Sequence, residues 1–148
     1  MNAIWSDALV NHIAERKTDG VRVAFLSAIR ADFRNGHCYF AVLAAPDFTR
    51  TVFAGEAIFL FFVQLMENFP LRKIYFETAE FNAAQFAPAL ARFAVEEGRL
   101  REYEYYNGQY WDYLIFSVSR ETVERRMAPL VRWPMHVSHS DDPNEGEK

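Results

Sequence analysis

Apolar and polar positions along this chain follow two rhythms, and the switches between them mark out its elements. Apolar residues at positions 4, 5, 8, 9, 10 and 13 fall close to one helical stripe, so the pattern predicts an opening helix over Ile4–Ile13. Asp19-Gly20 ends that unit, and Val21–Ile29 reads as a strand. Arg34-Asn35-Gly36 follows as a turn, because Asn-Gly tolerates the positive φ of tight hairpins. His37–Ala44 is the return strand, stopped by Pro46-Asp47. Gly55–Glu67 is almost unbrokenly apolar, as expected of a helix buried against a sheet, and Asn68 and Pro70 end it.

Arg72–Glu77 is a short strand, and Asn82 is placed to cap the helix after it through its side chain. That helix directs Phe86, Leu90 and Phe93 inward. Pro88 inside it predicts a kink, or a restart with the proline in a new first turn. Leu100–Tyr106 and Gln109–Val118 form a hairpin around Asn107-Gly108, and Ser119 caps a short helix closed by Pro129. Beyond Pro134 the chain turns polar and aperiodic. The expectation is one domain over residues 1–134 and a disordered tail over 135–148. The order of elements predicts an α/β (α+β) domain with a mixed sheet.

Composition narrows the functional classes. The 148 residues suffice for one domain with a real core, at 51% hydrophobic and 24% charged. Aromatics at 16% either fill that core or line an interface between copies. A net charge of -4 with no basic stripe gives no footprint for nucleic acid. Cys38 is the single cysteine, so the chain can form no internal disulfide or CxxC site. The N-terminus lacks the order of a signal peptide, and the apolar run Ala57–Met66 is too short to span a bilayer. These features predict a cytoplasmic protein that binds neither membrane nor nucleic acid.

The richest segment is Pro70–Ser119. It reads strand, Asn82-led helix, Glu97-Gly98, then a hairpin Asn107-Gly108-Gln109-Tyr110-Trp111-Asp112. It resembles the C-terminal half of the GNAT N-acyltransferases, most closely the branch of ribosomal-protein N-terminal acetyltransferases. The resemblance implies a mixed, mostly antiparallel sheet flanked by helices. It also implies acetyl-CoA as co-substrate and an amine-bearing small molecule or a peptide N-terminus as acceptor. In that family a glycine-rich loop at a helix start holds the pyrophosphate on backbone N–H groups. The matching residues here are Val52, Phe53, Ala54, Gly55 and Glu56, with β-branched Val52 and with Ala54 at the glycine positions. Asn82 lies where the family places an asparagine near the cofactor arm, while Glu97 and Asp112 match positions that support the hairpin. The tyrosine that protonates the leaving thiolate in many members is replaced by Pro88-Ala89. The family's N-terminal strand and first helix look missing or shortened.

Residue chemistry adds one candidate. Glu77 ends a strand, where open α/β sheets place their sites, and could act as the base that deprotonates an ammonium. Glu56 reads instead as a carboxylate offsetting a helix dipole. His37 reads as a turn residue, and the other histidines have no metal-ligand spacing. Three readings stay open: a CoA-dependent N-acetyltransferase, a catalytically inactive GNAT-like module for binding or oligomerisation, and a small-ligand binding protein. A sheet edge left less covered by the short N-terminus predicts a homodimer.

Overall fold

The computed structural model describes residues 7–49 and 51–131. Its strands are β1 (Ala8–Glu15), β2 (Arg22–Asp32), β3 (His37–Ala44), β4 (Lys73–Ala79), β5 (Val95–Tyr106) and β6 (Gln109–Ser119). They form one sheet in the order β1-β2-β3-β4-β6-β5, antiparallel except between β3 and β4. The helices are α1 (Val52–Asn68), α2 (Glu80–Ala83), α3 (Ala87–Phe93) and α4 (Arg120–Thr122). A 3-10 turn bridges α2 and α3, and α4 continues as a π turn over Val123–Met127. The tail expected over 135–148 lies outside the described residues.

The opening element is a strand and not the expected helix. Within β1, Val10, His12 and Ala14 are half-buried while Asn11, Ile13 and Glu15 are exposed, a period of two hidden inside the helical stripe. Pairing with β2 decides the matter, since an edge strand satisfies backbone groups that β2 would otherwise leave open. The Asn11 side-chain carbonyl accepts the Ser27 hydroxyl at 2.7 Å and pins the register. Residues 16–21 close the β1–β2 hairpin with Gly20 at φ 70°, a conformation suited to glycine. A tight turn, and no helix, joins β1 to β2.

The core forms on one face of the sheet. Leu26, Ala28, Cys38, Phe40, Ile74 and Val118 point into it and meet Phe61, Phe62, Leu65 and Met66 of α1, with Val123 and Met127 from the C-terminal turns. Ala83 of α2 and Leu90 of α3 extend it over Leu114 and Phe116. Pro88 falls in the first turn of α3, so the helix restarts there and loses no internal hydrogen bond. Phe93 packs edge-on against Phe59 at 4.9 Å. The opposite face carries Ile13, Phe25, Ile29, Tyr39, Ala41, Tyr75, Glu77, Tyr113 and Ile115, by the same alternation. Among the described residues no helix covers it.

Candidate active site

The sheet opens at the parallel joint between β3 and β4. β3 and β4 pair at His37–Lys73, Cys38–Ile74 and Tyr39–Tyr75, and nowhere beyond. From Phe40 to Ala44, β3 stays paired with β2 alone, while Phe76 to Ala79 stay with β6. The two strands thus splay toward their C-terminal ends and leave backbone edges facing a slot. Unpaired peptide groups there can be met by the amides of an extended ligand, as in strand addition.

A helix start stands at the mouth of this slot, one short 3-10 turn after β3. Thr51 is its N-cap, but the Thr51 hydroxyl donates to the Phe48 carbonyl at 2.9 Å and gives no cap to the helix. No acidic side chain sits in the first turn of α1. Helix geometry leaves the N–H groups of Val52, Phe53 and Ala54 without internal acceptors, so the dipole's positive end is open to an anion.

The five residues expected to form the cofactor loop divide accordingly. Val52 to Ala54 supply open donors, whereas the N–H groups of Gly55 and Glu56 belong to the helix's own ladder. All five are helical, so the β-branch of Val52 meets no positive φ, and its side chain is 76% exposed. A Cβ on Gly55 would meet nothing within 4 Å. Glu56 lies beyond the first turn, which removes it as a compensator of the dipole.

Asn82 does not cap its helix. Ala79 occupies that position, and Asn82 is the third residue of α2, exposed, just past the end of β4. Glu77 is half-buried on the uncovered face, opposite Ile115 of β6. Its charge and the burial of Tyr113 push the Tyr113 hydroxyl up, burial contributing more, so that phenol stays protonated at neutral pH. The strand alternation that links these two residues was present in the sequence, but the pairing of β4 with β6 was not legible there.

Other groups prove structural. Arg99 bridges Asp112 at 2.9 Å and Glu80 at 3.1 Å, and the Glu102 N–H donates to Asp112 at 3.0 Å. Glu97 accepts Lys73 at 2.7 Å and the Ser117 hydroxyl at 2.6 Å. Burial pushes the Cys38 thiol up to about 11, which leaves it inert as a nucleophile. His37 is half-buried and not a solvent-exposed turn residue, with its ring edge against Tyr39 and Tyr75. Two shallow depressions, one beside Met66 and Arg120 and one beside Val10 and Gln64, lie on the helical side. Among the described residues no group of three His, Cys, Asp or Glu side chains could hold a metal ion, and no helix is long and apolar enough to cross a membrane.

No protein-family model matches the chain, and no curated protein does. Solved structures match well. A variant of the spermidine N-acetyltransferase from Vibrio cholerae superposes with a TM-score of 0.68 at 22% identity, over 78% of this chain and 68% of that one. A spermidine N-acetyltransferase from the same organism in complex with CoA and spermine gives 0.66 at 20%, over 78% and 68%. A third structure, of the enzyme with manganese ions, gives 0.67 at 21% with the same coverage. The chain has the GNAT fold. These three matches are polyamine enzymes and do not extend to the ribosomal-protein branch.

Proposed function

We propose that this chain is an acetyl-CoA-dependent N-acetyltransferase acting on an amine. The observation that carries the reading is the β3–β4 splay with an uncapped helix start at its mouth. The pyrophosphate sits on the open N–H groups of Val52, Phe53 and Ala54, and the acyl arm runs down the slot past Asn82. Glu77 takes the proton from the acceptor ammonium, and the amine nitrogen attacks the thioester carbonyl. Collapse of the tetrahedral adduct forms the amide and expels the CoA thiolate, which takes a proton from Tyr113 in place of the tyrosine absent at Pro88-Ala89, and the second proton lost by the amine nitrogen restores the phenol. The similarity to a structure that holds CoA and spermine supports this chemistry. The Asn107-Gly108 to Asp112 hairpin supports kinship with the ribosomal-protein branch. The exposed tyrosines 103, 105, 106 and 110 support association into a homodimer, in a cytoplasmic setting.

A second reading, a GNAT-like module without catalysis, is favoured by the missing tyrosine and by Val52 and Ala54 at the glycine positions of the cofactor loop. Calorimetric titration with acetyl-CoA and a turnover assay over a panel of amines separate the two. Saturable CoA binding with acetyl transfer is expected. Binding without transfer to any amine supports the inactive module, and no heat at millimolar CoA sinks both the cofactor and the reaction.

A further inference from the structure

The uncovered face holds a charged residue, Arg30, that the chemistry above does not use. Arg30 has φ 51°, left-handed backbone that residues other than glycine rarely adopt, at the break in β2–β3 register between Ile29 and Asp32. Bulges of this kind re-aim side chains. Here the guanidinium lies over the Tyr39 ring, 5.1 Å from its centroid. Tyr39 stacks on Tyr75 at 5.5 Å, and Glu77 follows two residues further along β4 on the same face. Arg30 and Glu77 each lack an ion-pair partner among the described residues.

Two unpaired charges of opposite sign therefore flank a tyrosine pair beside the slot. Strand spacing of about 4.8 Å and a rise of about 3.3 Å per residue put their Cα atoms roughly 14 Å apart. Their side chains shorten the gap between charged ends to the order of 10 Å. Both charges are felt at the Tyr113 hydroxyl, with opposite effect. Hydrogen bonds of about 2.8 Å at each end leave a few ångströms between, the span of a small zwitterion.

We propose that Arg30 and Glu77 select the acceptor as an amine that also carries a carboxylate, with Arg30 gripping the carboxylate and Glu77 facing the ammonium. The fate of that amine rests on the acetyltransferase reading; its recognition does not. A guanidinium suits the task because its planar fork pairs both carboxylate oxygens. The same charge repels a polyamine, which separates this site from those of the spermidine enzymes whose fold it shares.

The test compares phenylalanine with phenethylamine, a pair that differs only in the carboxylate, by calorimetry on the full chain with and without CoA. Phenylalanine is expected to bind the unaltered protein about fivefold tighter or better, the scale of an exposed ion pair. Arg30→Gln should abolish that preference, Arg30→Lys should keep part of it, and Arg34→Gln, which removes an equal charge from the neighbouring turn, should leave it whole. Equal affinity for both compounds, or a preference that survives Arg30→Gln, overturns the proposal. CoA binding without the preference fails this inference alone. The preference without CoA binding fails the acetyltransferase reading and leaves Arg30 in its role.

Discussion

Glu77 and Tyr113 sit one strand apart on the uncovered face, and the phenol's protonation is set by that neighbourhood. Burial and, to a lesser degree, the Glu77 charge keep the phenol protonated. Replacing Glu77 with Gln keeps the shape and removes the base, so kcat should fall about 100-fold with an unchanged melting temperature. An unchanged kcat on the best acceptor would remove Glu77 from the chemistry. Asp112 offers a second measurement at this scale. Arg99 and the Glu102 N–H hold its carboxyl below the ordinary range, the Arg99 hydrogen bond contributing most. A depressed folded-state value means stability that is present above the unfolded value and lost as pH falls through the folded one. Stability should therefore decline below about pH 4 in the unaltered protein. Asp112→Asn should be less stable at neutral pH and flatter across that acid window, as followed by urea unfolding at several pH values.

Among the elements, α1 shows why some features were legible in the sequence and others were not. Its apolar run and its stops at Asn68 and Pro70 are local signals, and the helix appears where they put it. Its start slips three residues earlier than Gly55, because Val52, Phe53 and Ala54 take up helical backbone directly after the extended Thr51 and no local residue forbids it. The device that closes its other end is not local at all. Arg120, more than fifty residues on, donates to the carbonyls of Met66, Phe69 and Leu71 at 2.7 to 2.9 Å. Arg120→Ala should cost about 2 kcal/mol, since three carbonyls lose a charged donor. Arg120→Lys should recover little, because one ammonium cannot fan across all three. Equal melting temperatures for Lys and the unaltered residue would show that charge alone suffices. Both Asn-Gly turns and the Ser119 cap were readable for the same local reason as the body of α1. The first strand was not, since its alternation shows only against β2, and neither was the Asn82 position, where Ala79 takes the cap.

At the scale of the whole molecule, the sheet divides into two parts built from near neighbours in the chain. β1, β2 and β3 form a meander within residues 8–44, and β5 with β6 forms a hairpin that β4 joins on its inner side. The resemblance drawn from Pro70–Ser119 was strongest in the second part, where turn chemistry repeats family spacing. It was weakest in the first, which lies outside that run. Three residue pairs, with the Gly36 carbonyl accepting from the Arg72 and Lys73 N–H groups, stitch the two parts across the sheet. So short a seam, next to a widening gap, leaves the strand pairing there weaker than within either hairpin. Amide exchange should therefore be faster at Tyr39 and Tyr75 than at Leu26 or Phe116. A ligand lying in the gap would act as a splint across the seam and slow those same amides. The mouth of the slot would then breathe at a rate set by three rungs, a tempo for ligand entry written into the shortest pairing in the sheet.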